Sequence, residues 1–458
     1  MRSAPTLFVP WIWIAALFVG GSAPGCGSSS AGNMAGDAGA GAGDSGMRGF
    51  GVGDAAAMCG VRCQQVACPN GGSTNVTGTV FAPTKLNPDP LYNAIVYVPN
   101  SAVLPFTPGV TCDKCGTVTS GDPVTTALTG PDGKFTLSNV PAGDDIPLVV
   151  QLGRWRRQVV IPHVAACTST AIDASLTRLP RNKTEGDIPL TAISTGSADA
   201  LECVLRKMGV EDAEFTIPSG GGRIQLYVEN GASTPSIPPA SSLYASSASL
   251  DAYDIVIFDC EGAQNDKSAA ARKNVLDYTS AGGRVFASHF SYVWLYDTVP
   301  FAGTATWDVD QPHPNDPMTG LLDTSFPKGM AFDSWLKVVG AESAPEQVQI
   351  HVPRHDADAV IAPTQRWIYS QAPDDATLQH FTFNTPIGAG ADQQCGRVVF
   401  SDFHVTGTNG STHGQAFPLE CDNGPLTPQE KVLEFMMFDL ASCIQTDGGT
   451  PVAPPVVK

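Results

Sequence analysis

The chain has 458 residues, with 26 Lys and Arg against 44 Asp and Glu and a formal charge of −18. Hydrophobic residues make up 42 % of it and charged ones only 15 %, enough apolar content for packed cores and too little charge for a disordered polyelectrolyte. An acidic chain without a Lys/Arg cluster lacks the footprint that phosphate backbones require, which excludes nucleic acid as a partner.

This length predicts roughly two or three domains. Behind Arg2, residues 7–21 (LFVPWIWIAALFVGG) form an apolar run too short for a bilayer, which wants about 20 residues. The pattern is that of a signal-peptide core, giving a leader over 1–25. Ala23-Pro24-Gly25-Cys26 resembles a bacterial lipobox, which implies a diacylated Cys26 as the mature N-terminus. The alternative is ordinary cleavage at a nearby small residue and plain secretion. Between Gly27 and Met58, 22 of 32 residues are Gly, Ala or Ser, so 26–58 reads as a flexible tether with a reach of roughly 30 Å. Gly27 rather than Asp after the lipid cysteine resembles outer-membrane sorting. The membrane, through that lipid, is thus an expected partner.

Residues 59–178 carry six cysteines, Cys59, Cys63, Cys68, Cys112, Cys115 and Cys167. In an exported chain an even set predicts disulfides, here three bridges of open connectivity. Cys112-Asp113-Lys114-Cys115 also admits a redox or zinc reading. The rhythm is β throughout: Val76–Phe81, Ala94–Val98, Ile146–Val150 and Gln158–Ile161 have strand periodicity, and Ala171–Leu176 closes the unit. Pro131-Asp132-Gly133 supplies a tight turn between apolar alternations. The string TGPDGKFTLSNVPAG, followed by PLVVQL, resembles the carboxypeptidase regulatory-like domain. That resemblance implies a transthyretin-like β-sandwich with a structural or binding role and no catalytic residue. Arg154–Arg157, a basic-aromatic cluster, reads as a turn or exposed strand edge, or else as a ligand patch.

After Pro180 the rhythm changes, and 184–445 reads as an α/β domain. Strands are predicted at Ile188–Ile193, Ile224–Val228, Tyr253–Phe258, Arg284–Ala287 and Gly396–Ser401. Helices are predicted at Ala198–Met208, Ser268–Ser280 and Thr427–Ala441, where Pro428 suits a first turn. Such alternation means a parallel sheet covered on both faces. The strings YDIVIFDCEG, GGRVFASHF and GRVVFSDFH resemble the class I glutamine amidotransferase-like fold, a flavodoxin-like sheet shared with ThuA-like proteins. The resemblance puts His289 at the strand-to-helix elbow where active amidotransferases carry a nucleophilic cysteine. His404 matches their catalytic histidine, and Thr406 stands where the orienting glutamate would be. Two of the three triad members are therefore absent.

Ligands of open α/β sheets bind beyond the carboxyl ends of the strands, where Cys260, Glu261, His289 and His404 all fall. They are the candidate catalytic residues, with a Cys–His nucleophile pair as one option. This part holds five cysteines, Cys203, Cys260, Cys395, Cys421 and Cys443. Bridges are expected as Cys203–Cys443 or Cys395–Cys421, leaving Cys260 free. His351, His355, Asp356 and Asp358, and likewise Asp308, Asp310, His313 and Asp316, are rich in metal-ligand types but read as solvated loops. No metal and no cofactor is expected. Residues 446–458 read as a disordered tail. The leading expectation is a non-catalytic envelope lipoprotein that binds a small molecule, a glycan or an envelope protein. The alternative is an extracytoplasmic hydrolase working at His289 and His404.

Overall fold

A computed structural model describes residues 59–232, 236–405, 415–446 and 448–456. The leader, Cys26, the tether and Thr406 lie outside the described residues.

Period-two alternation of β-branched and aromatic residues makes seven strands in the first part: β1 (Asn75–Thr79), β2 (Ile95–Pro99), β3 (Pro123–Leu128), β4 (Lys134–Ser138), β5 (Gly143–Leu152), β6 (Trp155–Val164) and β7 (Ser169–Ala171). They form two sheets, β4-β1-β7 and β3-β2-β5-β6, packed through buried Val76, Leu137, Val96, Leu148 and Val150. Gly133 turns into β4 at φ 70°. Residues 171–176 do not continue as a strand, because the Asp173 side chain accepts from the Ser175 N–H and starts a short helix, Ala174–Thr177.

The second part contributes β8 (Thr191–Thr195), β9 (Phe215–Thr216), β10 (Ile224–Val228), β11 (Ile255–Phe258), β12 (Arg284–Ser288), β13 (Ala305–Trp307), β14 (Met318–Leu322), β15 (Gln347–Ile350), β16 (Ala357–Val360), β17 (Gln365–Tyr369), β18 (Leu378–Thr385) and β19 (Gly396–Ser401). Ten of them form one sheet in the order β15-β14-β17-β18-β19-β12-β11-β8-β10-β9. From β19 to β9 all neighbours are parallel. From β15 to β19 they are antiparallel, so the sheet is mixed and not purely parallel as the strand–helix alternation predicts. The connection between β17 and β18 is a short loop, which joins antiparallel strands but cannot make a parallel crossover. The parallel core reads 2-1-3-4-5 across β10, β8, β11, β12 and β19. This doubly wound order has its switch point between β8 and β11.

Helix Ala269–Ala281 packs on one face of the sheet, with Ser268 as its N-cap. Helices Leu201–Lys207, Pro327–Val338 and Pro428–Ala441 contribute to the other face, and there the apolar cluster runs without a break into the sandwich. Tyr92 stacks on Phe435, Trp155 meets Phe438, and Trp335 Nε1 donates to the Pro90 carbonyl at 2.6 Å. Arg154 and Arg156 are buried, not an exposed edge. Arg154 pairs with Asp113 and Asp254, and Arg156 pairs with Asp187 while lying over the Phe106 ring. Among the described residues, no helix is long and apolar enough to cross a membrane.

The disulfides follow this shared core. Cys59–Cys63 and Cys68–Cys167 lie within the sandwich. Cys112–Cys395 and Cys115–Cys443 cross to the α/β part, so the expected set of three internal sandwich bridges is wrong. The cause is local: Lys114 bridges Ile444, and Ile444 N–H donates to the Asp113 carbonyl, setting the 112–115 turn against the last helix. With Cys443 and Cys395 engaged there, Cys203 bonds Cys421, and neither expected α/β bridge forms. The described tail also departs from disorder: Pro454 is buried, and its carbonyl accepts from Thr126 Oγ1 at 2.7 Å.

Candidate functional site

Three adjacent strands of the parallel core, β11, β12 and β19, deliver Asp259-Cys260-Glu261, His289 and Asp402-Phe403-His404 to one edge. The β12 elbow is tight, with His289 at φ 37°, in the left-handed region that non-glycine residues rarely adopt. Its neighbours hold it there. Ser288 Oγ donates to Asp199, Ser291 Oγ donates to the Asp259 carbonyl at 2.9 Å, and Asp199 also accepts from the Val405 N–H. Gly196, just past β8, lies so close to β11 that a β-carbon there would collide with the Cys260 carbonyl.

The edge brings Cys260, His289 and His404 into contact. His289 Nδ1 is 3.3 Å from Cys260 Sγ and 2.8 Å from His404 Nε2, and all three side chains are buried. On the far side of the ring, His289 Nε2 faces Asp356 Oδ2 at 3.4 Å. His404 Nδ1 lies 3.3 Å from Arg354 Nη2. A guanidinium only donates, so Arg354 makes His404 Nδ1 the acceptor and leaves the proton on Nε2. That proton points at His289 Nδ1, so the His289 proton sits on Nε2, the side of the ring that faces Asp356. The chain of donors runs in one direction, from Arg354 through His404 to His289, and Asp356 Oδ2 makes no hydrogen bond among the described residues.

Sequence reasoning missed Asp356 and Arg354 as members of this site. Both lie in the stretch expected to be a solvated loop, yet Asp356 is buried, with Oδ1 accepting from the Asp310 N–H and its own N–H donating to Asp402 Oδ2. The aspartate before the late histidine motif was a signal within reach, because Asp402 follows directly on β19. The rest of that stretch stays nearer the surface: His355 pairs with Asp358, and His351 with Asp316.

Burial governs the electrostatics. It holds His289 down to about 2 and His404 down to about 3, with His404 and Arg354 adding to the effect on His289 and Arg354 on His404. Burial and then the Asp199 carboxylate push the Cys260 thiol up, opposed by hydrogen bonds from the Gly262 and Phe290 backbone and by Arg354. Burial, then the facing Asp356, raises Asp402 well above the usual carboxylate range. Burial thus favours the neutral form of all three, with the His289 ring between the Cys260 thiol and the His404 ring.

Glu261 does not join them. Its Oε1 is 2.6 Å from Lys267 Nζ, which also meets Glu229 Oε1 at 2.8 Å and lies over the Tyr244 and Trp294 rings. Glu261, Lys267, Glu229 and Tyr244 line a separate cleft of about 640 Å³ beyond the carboxyl ends of β10 and β11, with Asn230 and Asn265. Ser197 Oγ and Asn230 Nδ2 both donate to the Glu261 carbonyl, tying the β8, β10 and β11 ends together.

No family model and no curated protein matches the chain. Solved structures do. The N-terminal domain of mmIFT52 is 10 % identical, and the match covers 55 % of this chain and 97 % of that one at a TM-score of 0.33. A cytoplasmic protein from Salmonella typhimurium is also 10 % identical, over 55 % and 98 % at 0.29. A ThuA-like protein from Bacteroides uniformis is 11 % identical, over 57 % and 94 % at 0.31. At these scores the likeness bears no weight for function, and the chemistry has to come from this chain's own residues.

Those residues offer two things. The cleft opens amides and the Tyr244 side chain to solvent over a Lys267–Glu229–Glu261 ion-pair cluster that is itself largely buried. The buried trio presents nitrogen and sulfur atoms within 4.8 Å of one another, as do His289, Asp356 and Asp402 with nitrogen and oxygen.

Proposed function

We propose that this chain is a cell-envelope lipoprotein with a binding role. It is exported by its leader, held at the membrane through Cys26, and carried off the surface by the tether. The observation behind a non-catalytic reading is the burial of the trio, which favours the uncharged form of each group. A general base works best with a pKa near the operating pH, and His289 and His404 are held several units below it. A cysteine nucleophile works as thiolate, and burial keeps Cys260 a thiol.

The ligand reading centres on the cleft beside β10 and β11. Its volume falls within the range of small-molecule sites, roughly 300–1,000 Å³. Hydrogen-bonding side chains around Tyr244 suit a sugar or another polyhydroxylated molecule. The test is a thermal-shift screen of the full mature chain in detergent against soluble glycans and metabolites. The expected result is stabilisation by a polyhydroxylated ligand, lost in Asn230→Ala and Glu261→Gln. Stabilisation that survives both substitutions would refute the cleft. For the anchor, Cys26→Ala is expected to move the protein from the membrane to the soluble fraction.

A second reading, an extracytoplasmic hydrolase, is favoured by one observation. His289 has a carboxylate behind Nε2 and a thiol before Nδ1, the arrangement of a base with its orienting group. Product formation during the same screen, abolished by His289→Ala, would replace the binding reading with this one.

A further inference from the structure

We infer that Cys260, His289 and His404 form a binding site for a single transition-metal ion of the zinc class. Sequence alone assigns this chain no metal; the geometry supplies the case. The thiol and the two facing imidazole nitrogens come from three adjacent strand ends, and their ligand atoms converge within 4.8 Å. One sulfur with two nitrogens is a set that selects borderline metals over Mg²⁺ or Ca²⁺.

The surroundings of His289 suit a metal ligand. His289 turns its other nitrogen toward Asp356 Oδ2, 3.4 Å away and not hydrogen-bonded, and a small shift on ligation would give the ring the carboxylate pairing of a metal ligand. Asp356 is in turn fixed by the Asp310 N–H. All ten other described cysteines are in disulfides, whereas Cys260 is free.

His404 carries the cost. A ring bound through Nε2 needs its proton on Nδ1, where Arg354 now donates. Metal uptake therefore has to displace Arg354. It also has to spread the ligands slightly, since donors about 2.0–2.3 Å from a tetrahedral ion stand roughly 3.3–3.6 Å apart. The observed separations are 2.8 and 3.3 Å. Binding expels the Cys260 proton to solvent and leaves a fourth position for water or a ligand atom.

The site is separate from the Glu261 cleft, so failure of one leaves the other standing. The test uses the full mature chain, stripped with chelator and titrated with Zn²⁺ by calorimetry and with Co²⁺ by visible absorption. One equivalent is expected, with a sulfur-to-cobalt charge-transfer band that Cys260→Ser abolishes. Asp356→Asn is expected to weaken binding by about 10–100-fold. Arg354→Met is expected to tighten it, which a purely structural role for Arg354 does not predict. Native mass spectrometry of the unsubstituted protein gives the stoichiometry without any variant. No stoichiometric uptake overturns the inference, and so does uptake that a folded Cys260→Ser protein retains.

Discussion

His380 isolates one side chain's effect on stability. It sits in β18 fully buried near Phe286 and Phe403, and neither ring nitrogen meets a hydrogen-bond partner among the described residues. Burial holds it down to about 3. Unfolded, an imidazole takes up its proton near pH 6.5; folded, this one stays neutral to about 3. Between those values the unfolded state binds more protons, so the contribution of His380 to stability falls as the pH falls. The raised carboxyls of Asp402, Glu202 and Asp259 slope the other way, which makes a difference measurement necessary. His380→Leu is expected to gain about 2 kcal/mol more at pH 5 than at pH 8, read by denaturant unfolding at both. An equal change at the two values would remove the titration account. At this scale the sequence is legible where a residue ends a strand: Cys260, His289 and His404 are found from apolar runs that stop at them. Asp356 and Arg354 are not, because they reach the site from a distant loop that carries no periodicity. Cys260 is left unpaired for a simpler reason than the count within one part. Eleven cysteines follow Cys26, and two bridges cross between the parts, so the odd one had to be fixed by geometry.

Helices and parallel strands follow from local chemistry. The Pro428–Ala441 helix has a capping box, in which Thr427 Oγ1 accepts from the Glu430 N–H and the Glu430 carboxylate accepts from the Thr427 N–H at 2.7 Å. Thr427→Ala is expected to cost about 1 kcal/mol, measured by denaturant titration. The same helix is pinned more strongly at its other end. Asp439 meets Lys328 Nζ at 2.6 Å and Arg397 Nη1 at 2.5 Å, and both cations are fully buried. Asp439→Asn removes the carboxylate that both buried cations face and is expected to cost about 3–5 kcal/mol. A cost below that of the cap variant would mean water reaches the pair. The antiparallel half of the sheet is where local chemistry fails as a guide. β18 is buried along its whole length but reads LQHFTFNT, which is neither an apolar run nor an amphipathic strand. His380 apart, its polar side chains meet distant partners: Gln379 the Arg354 carbonyl, Thr382 the Trp367 Nε1, and Asn384 the Arg397 guanidinium. A pattern of apolar and polar letters cannot show that a polar residue has a partner elsewhere.

For the whole chain, the change of rhythm near Pro180 separates two architectures without separating two cores. Trp335, Phe435 and Phe438 bury against Pro90, Tyr92 and Trp155, and Lys431 reaches Asp89 at 3.0 Å. Gly153 lies so close to the Ala441 carbonyl that any side chain there would force the two parts open. Two disulfides then close loops of 283 and 328 residues across the junction, where cross-linking constrains the unfolded chain most. A fragment of residues 184–445 would therefore expose an aromatic face and leave Cys395 and Cys443 unpaired. It is expected to aggregate or to form intermolecular disulfides on oxidative refolding, whereas residues 59–456 refold to a monodisperse species with one unfolding transition. Size-exclusion chromatography and calorimetry of the two preparations decide it. A soluble 184–445 fragment with its own cooperative transition would show that the shared cluster is an interface between independent domains. A single transition in the longer chain, lost on removing the sandwich, would make the sandwich part of the body that positions the strand-end site.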